Sequence, residues 1–243
     1  MVGDGWLVLG DPYHLSPTTD HLLAMPLIVL EGPEGAGKTT QVKMLAERLV
    51  ATGQKVVAFR EPGGTPVGDD IRKILLDHPA SDIVPRAESL LFMASRAQLV
   101  EGQIAPALSA GAIVILDRFF LSTYAYQVAG RGLPHDQVGA ANRLATAELR
   151  PDVTVLLMLP VEEGLARVTR RGAHDRIEQA DADFHRRVAR AFAEFATAEW
   201  QAAHPEAGPV VTVDARGDMA EVSARVLSAL EQRWPGTSRG STT

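Results

Sequence analysis

The sequence predicts an α/β fold: one parallel five-stranded sheet with helices on both faces. Three observations carry this. Five short runs rich in Val, Ile and Leu recur along the chain, and they are continuously apolar, as strands buried on both faces are. Segments with helical spacing separate them, so strands and helices alternate as in βαβ units. The first run also passes directly into a glycine-rich loop and then a helix. The 243 residues, 46% of them hydrophobic, suffice for one domain with a substantial core.

Residues 1–24, "MVGDGWLVLGDPYHLSPTTDHLLA", lack a basic start and carry Asp4 and Asp11, which argues against a signal peptide. They are rich in turn formers and show no sustained period, so they read as a poorly ordered or accessory extension to a domain at 25–234. The first strand is "LIVLE" from Leu27, and a helix follows over 38–52, closed by Gly53. The second strand is "KVVAF" from Lys55, followed by a short helix over 69–77 and a long one over 86–110 that Gly102 and Pro106 should bend. "AIVILD" from Ala112 is the third strand and 134–149 the next helix. "VTVLLML" from Val153 is the fourth strand, with helices over 161–171 and 181–203. "PVVTVD" from Pro209 is the fifth, with a last helix over 218–233. The tail from Pro235 to 243 reads as disordered.

Ligands in such sheets bind beyond the carboxyl ends of the strands. After the first strand, "GPEGAGKT" matches G-x-x-x-x-G-K-[ST], with Gly32, Gly37, Lys38 and Thr39 at the fixed positions and Pro33, Glu34, Gly35 and Ala36 between them. The glycines let backbone N–H groups turn toward phosphate oxygens, and the following helix adds its positive end. Lys38 is placed to reach β/γ-phosphates, and the Thr39 hydroxyl to ligate Mg²⁺. This predicts a fold of the P-loop NTPase type that binds ATP with Mg²⁺. A guanine-reading N-K-x-D is absent: the single asparagine, Asn142, is followed by "RLA".

After the second strand, "REPGGT" makes a tight turn that exposes backbone N–H groups, with Arg72 one to two helical turns on. After the third, Asp117 is placed to touch the metal or its waters, and Arg118 to clamp phosphate. In "AESLLFMASRAQL", Phe92 and Arg96 stand at i and i+4 and share one helix face. That pair suits stacking on a base and reading its edge. Taken alone, it suits better a core ring beside a solvated surface charge.

Taken in order, "GPEGAGKTTQ", "REPGGT" with "IRKILL", "LLFMASR", "DRFFLSTYAYQ", "RPDVTVLL" and "RRGAHDRIE" resemble the thymidylate kinase family over about residues 25–233. The resemblance implies transfer of the ATP γ-phosphoryl group to dTMP, giving dTDP. It assigns Phe92 to stacking on thymine and Arg96 to the base edge, with Ser122 and Thr123 lining the base. Tyr126 would crowd the 2′ carbon. Arg72, Arg118 and Gln127 would surround the nucleotide, Glu61 would lie by the acceptor and the metal waters, and Glu34 would face the sugar 3′-hydroxyl. It also implies a homodimer. Phe119 stands where Tyr or His often follows Asp-Arg, which would remove a hydroxyl from the site's edge, and Met158 where Asp is common.

Phosphoryl transfer needs charge stabilisation, yet the loop contains no arginine. "RVTRRGAHDRIE" supplies Arg167, Arg170, Arg171 and Arg176, like the family subgroup whose catalytic arginine lies in a lid. Arg171 is the first choice for this finger and Arg176 the second.

The charge count, 24 basic against 30 acidic residues, gives no basic excess to favour nucleic acid or anionic membrane. There are no cysteines, which excludes disulfides and thiolate chemistry and suits a cytoplasmic enzyme. No apolar stretch reaches the ~18 residues of a membrane span. A kinase for a deoxynucleoside or another monophosphate and a regulatory ATP-binding module are the competing readings.

Overall fold

A computed structural model describes residues 8–9, 26–79, 82–172 and 175–233. Strands β2 (Leu27–Glu31), β3 (Val56–Arg60), β4 (Ile113–Asp117), β5 (Val153–Met158) and β6 (Val210–Asp214) form the expected five-stranded parallel sheet. Two residues of the N-terminal extension, β1 (Val8–Leu9), pair antiparallel with β3 and give the sheet order β1-β3-β4-β2-β5-β6. The tail 235–243 and the rest of 1–24 lie outside the described residues.

Both sheet faces are covered, which explains the unbroken apolar runs. Along β2, Leu27 and Val29 enter one core, while Ile28 and Leu30 enter the other. On β4, Val114 and Leu116 oppose Ile113 and Ile115 in the same way. The second core is closed by α1 (Lys38–Ala51), through Val42, Leu45 and Leu49, and by α10 (Met219–Arg233), through Val222, Val226 and Leu230.

The first core lies under α2 (Pro66–Asp77), α3 (Pro85–Leu99), α8 (Ala182–Phe195) and their neighbours. The bend expected near Gly102 is a π-helical turn, Val100–Ile104, that hands α3 on to α4 (Ala105–Ser109). The helix expected over 181–203 is two. Thr197 accepts from Trp200 N and caps a fresh helix, α9 (Ala198–Ala203), just as Asp181 caps α8. A helix that sequence reasoning did not place, α5 (Phe120–Thr123), continues as a π turn, Tyr124–Gly130. The remaining helices are α6 (His135–Thr146) and α7 (Val161–Arg171).

β2 is central, with β4 on one side and β5 on the other, so the chain order reverses across it. That switch point brings the ends of β2, β3, β4 and α7 together. No described helix is long and apolar enough to cross a membrane.

Candidate active site

The loop after β2 is built from backbone conformations that side chains resist. Gly32, Gly35 and Gly37 have φ of 142°, 74° and 86°. A Cβ on Gly35 would sit 2.2 Å from the carbonyl oxygen of Gly164 in α7, and one on Gly164 2.4 Å from that of Glu34. The loop and α7 therefore touch backbone to backbone. Lys38, at the start of α1, is buried, and its Nζ donates to the carbonyls of Gly32 (3.0 Å) and Pro33 (2.7 Å). Burial and the Arg118 charge pull its pKa down to about 8, against the pull of Glu34 and Asp117. Thr39 Oγ1 donates to Asp117 Oδ2 at the end of β4. A hydroxyl and a carboxylate side by side at the loop are hard oxygen donors of the kind that would help hold Mg²⁺. Among the described residues no cluster of three His, Cys, Asp or Glu could hold a metal by itself.

Arg118 follows Asp117 in a left-handed conformation, φ 75°, a strained arrangement for a non-glycine residue. Its N–H still bonds Leu30 O (3.0 Å), so the strain sits in the turn and not in the sheet. The guanidinium donates to Glu34 Oε1 (2.7 Å) and Ser122 Oγ (3.0 Å) and lies over the Tyr126 ring. Tyr126 O–H also donates to Glu34 Oε1 (2.8 Å). Burial alone would raise the Glu34 carboxyl, but the charges of Arg118 and Lys38 and the Tyr126 hydrogen bond outweigh it and lower its pKa to about 2. The same burial, with Glu34 beside it, pushes the Tyr126 hydroxyl well above its ordinary value.

Beneath this turn sits Glu31, fully buried at the end of β2. It accepts from Phe119 N (2.7 Å), Ser122 N (3.0 Å) and Ser122 Oγ (2.7 Å), and so holds the first turn of α5.

On the far side, Arg72 reaches back to the Pro62 carbonyl (3.0 Å). Burial and then the Arg60 charge lower its pKa, and Arg118 adds to this. Three cations crowd one wall, which a phosphate dianion would relieve. One cavity takes in Glu34, Gly35, Gly37, Lys38 and Thr39 with Arg60, Arg72, Phe92, Arg96, Arg118, Ser122, Thr123, Tyr126 and Gln127. Segments far apart in sequence thus converge on it.

Several side chains sit differently from expectation. Arg96 lines the cavity, yet it is 2% exposed and each of its five N–H groups has an acceptor. Nε and Nη2 meet Glu61, Nη1 meets Thr123 and Asn142, and Nη2 also meets the Phe119 carbonyl. Glu61 is correspondingly engaged by Arg96. Phe119 lies fully in the core under Arg96, not at the site's edge. Arg176 is a correction to the lid reading: it is 3% exposed, with Nε on Leu75 O (2.6 Å) and Nη2 2.6 Å from Glu88 Oε2. A guanidinium buried at this depth has to keep its carboxylate partner, because freeing either one would strand a buried charge. The side chain of Arg171 lies outside the described residues, as do residues 173 and 174 wholly. Among the described residues of this segment, Arg167 is an arginine that lines the cavity, with Nη1 near the Gly35 carbonyl (3.4 Å) and Nη2 on Glu163 (2.7 Å). Glu31, Glu88, Arg60 and Asn142 were not singled out from sequence. Buried charge in an apolar run, as in "LIVLE", was the one available signal.

The chain is similar to known proteins over most of its length. The family model described as thymidylate kinase matches residues 30–214. A thymidylate kinase of Deinococcus radiodurans is 47% identical over 206 residues, covering 85% of this chain and 96% of that protein. One from a Synechococcus strain is 48% identical over 206 residues, covering 85% and 95%. The crystal structure of thymidylate kinase from Ehrlichia chaffeensis superposes with a TM-score of 0.66 at 29% identity, covering 86% of this chain and 99% of that one.

Proposed function

The chain belongs to the thymidylate kinase family, and from that membership we propose that the two halves of the cavity hold the two substrates of one phosphoryl transfer. The enzyme phosphorylates dTMP to dTDP at the expense of ATP. The observation that carries the site assignment is the continuity of the cavity from Lys38 and Thr39 to Arg72, Phe92 and Arg118.

ATP lies along the P-loop, its β- and γ-phosphates against the backbone N–H groups of residues 32–39 and the Lys38 ammonium. Mg²⁺, held by Thr39 and Asp117 directly or through water, would neutralise phosphate charge and fix the metal-bound oxygens. Arg72 and Arg118 bind the acceptor phosphate, whose oxygen attacks the γ-phosphorus as the bond to the β-phosphate oxygen breaks. Phe92 stacks on the base, and Ser122, Thr123 and Gln127 line it. Glu34, ionised and pinned by Arg118 and Tyr126, accepts from the sugar 3′-hydroxyl. Tyr126 closes the space next to the 2′ carbon. Arg96 and Glu61 support this wall from beneath. The arginine finger comes from the lid: Arg171 remains the first choice, with Arg167 already at the loop. Excluding water there limits wasteful ATP hydrolysis.

A homodimer is supported by exposed apolar side chains. Val67 (54% exposed) and Ile74 (41%) lie on α2, Leu90 (63%) on α3 and Leu144 (85%) on α6, and α3 packs against both α2 and α6. The cysteine-free chain suits the reducing cytoplasm, where we place the reaction.

An ADP-release assay with Mg-ATP, with and without dTMP, tests the reading. ADP should appear only with dTMP, and Lys38→Ala should abolish it in a folded protein. A folded Lys38→Ala variant with near-normal turnover would remove the P-loop assignment.

A further inference from the structure

Glu88 has no part in the transfer as described, yet it is a buried carboxylate met by three side chains, Arg131, Arg176 and Gln127. It sits in the first turn of α3 and is 1% exposed. Arg131, just past the π turn, grips it with Nε on Oε1 (3.0 Å) and Nη2 on Oε2 (2.9 Å), its guanidinium also covering the Phe184 ring of α8. Arg176 approaches Oε2 from the lid's returning arm. Gln127 Nε2 donates to Oε1 at 3.2 Å. Burial would raise this carboxyl, but hydrogen bonds and charge from Arg131 and Arg176 hold it below its ordinary value.

An ionised carboxylate is acceptor-only. Gln127 can therefore turn only its NH₂ to Glu88, which makes its carbonyl oxygen the one acceptor that this side chain, which lines the cavity, can offer a base. An oxygen there suits a pyrimidine whose N3 carries a hydrogen, such as thymine. Cytosine offers an unprotonated N3, lone pair against lone pair. Arg176 adds a second link. Asp175, Ile177 and Glu178 on either side of it line the same cavity, so the lid's returning arm is anchored to the carboxylate that orients Gln127.

We infer that Glu88 is a positioning residue for base selection: it fixes the amide orientation of Gln127 and ties the lid's returning arm to the same point. This rests on the reading of the cavity as a dTMP site. The test compares kcat/KM for dTMP and dCMP, and KM for ATP, in wild type, Glu88→Gln and Arg131→Met. In Glu88→Gln the new amide can donate to Gln127, letting it turn its NH₂ to the base. The preference for dTMP over dCMP should fall by about tenfold or more, with KM for ATP within about twofold of wild type. Arg131→Met loses an ion pair but keeps the bond between Gln127 and Glu88, so its melting temperature should fall while the preference stays.

Should Glu88→Gln fail to fold, Glu88→Asp carries the same expectation, because it keeps a charge near the arginines while its shorter side chain draws the carboxylate oxygen away from Gln127. A folded Glu88 variant with wild-type preference overturns the inference. So does a loss of preference in Arg131→Met that merely tracks its stability. Wild-type enzyme inactive on dTMP would instead overturn the underlying site reading.

Discussion

Glu34 is a carboxylate inside the proposed phosphate site, and its neighbours explain why it stays charged there. Its pKa, lowered from 4.5 to about 2 by Arg118, Lys38 and Tyr126 against its own burial, means that it contributes stability above pH 4.5. That contribution is lost as pH falls from 4.5 toward 2. Glu34→Gln should flatten this part of the stability curve and lower kcat/KM for dTMP more than for ATP, measured by thermal melts from pH 2 to 6 and by steady-state kinetics. Lys38 works in the opposite sense. Its cation is lost in the free enzyme as pH rises through about 8, so kcat/KM for ATP should fall above that pH. The fold itself gains stability between 8 and 10.5, where the unfolded chain binds the proton more tightly. A profile flat to pH 10 would contradict the lysine's assigned state. Arg96→Ala should cost roughly 3–5 kcal/mol of stability, because it strands the buried Glu61. Urea unfolding would show this beside any rise in KM for dTMP.

Lys38, Thr39 and Asp117 were legible because a local spacing and a strand end fix them. The true surroundings of Arg96 and Arg176 were not, because Glu61, Asn142 and Glu88 reach them across segments that no periodicity connects.

Among elements, the contact between the P-loop and α7 matters most to function. Gly35 and Gly164 permit a backbone approach that any Cβ would block, so the lid's supporting helix rests directly on the donor loop. Gly164→Ala should lower the melting temperature by several degrees, for an overpacking cost of about 1–3 kcal/mol. It should also raise KM for ATP more than that for dTMP. Calorimetry and kinetics on one variant check both. The strands were readable in sequence because burial on two faces leaves runs such as "AIVILD" with no polar break. The helix ends were less so. The break at Thr197 depends on a side chain that caps α9, and the π turn over Tyr124–Gly130 hid a helix within an aromatic stretch. The antiparallel β1 involves only two residues of the extension, and a chain beginning at Met25 should keep both activity and melting temperature.

At the scale of the whole molecule, the central position of β2 gathers three strand ends and α7 around a single cavity, which makes direct transfer between two bound nucleotides possible. The exposed apolar side chains proposed to form the dimer face lie on α2, α3 and α6, and α2 and α3 also carry Arg72, Phe92 and Arg96 of the proposed acceptor wall. If that proposal holds, Leu144→Glu shifts the sedimentation profile toward monomer, and an unchanged profile contradicts it. The central claim is that the acceptor is a thymidine monophosphate, and one measurement addresses it most directly: ADP release with Mg-ATP across dTMP, dCMP, dAMP, dGMP and thymidine. The account predicts rapid release with dTMP and little with unphosphorylated thymidine, which has no phosphate for Arg72 and Arg118. Turnover with thymidine as fast as with dTMP, or faster turnover with a purine monophosphate, would contradict it.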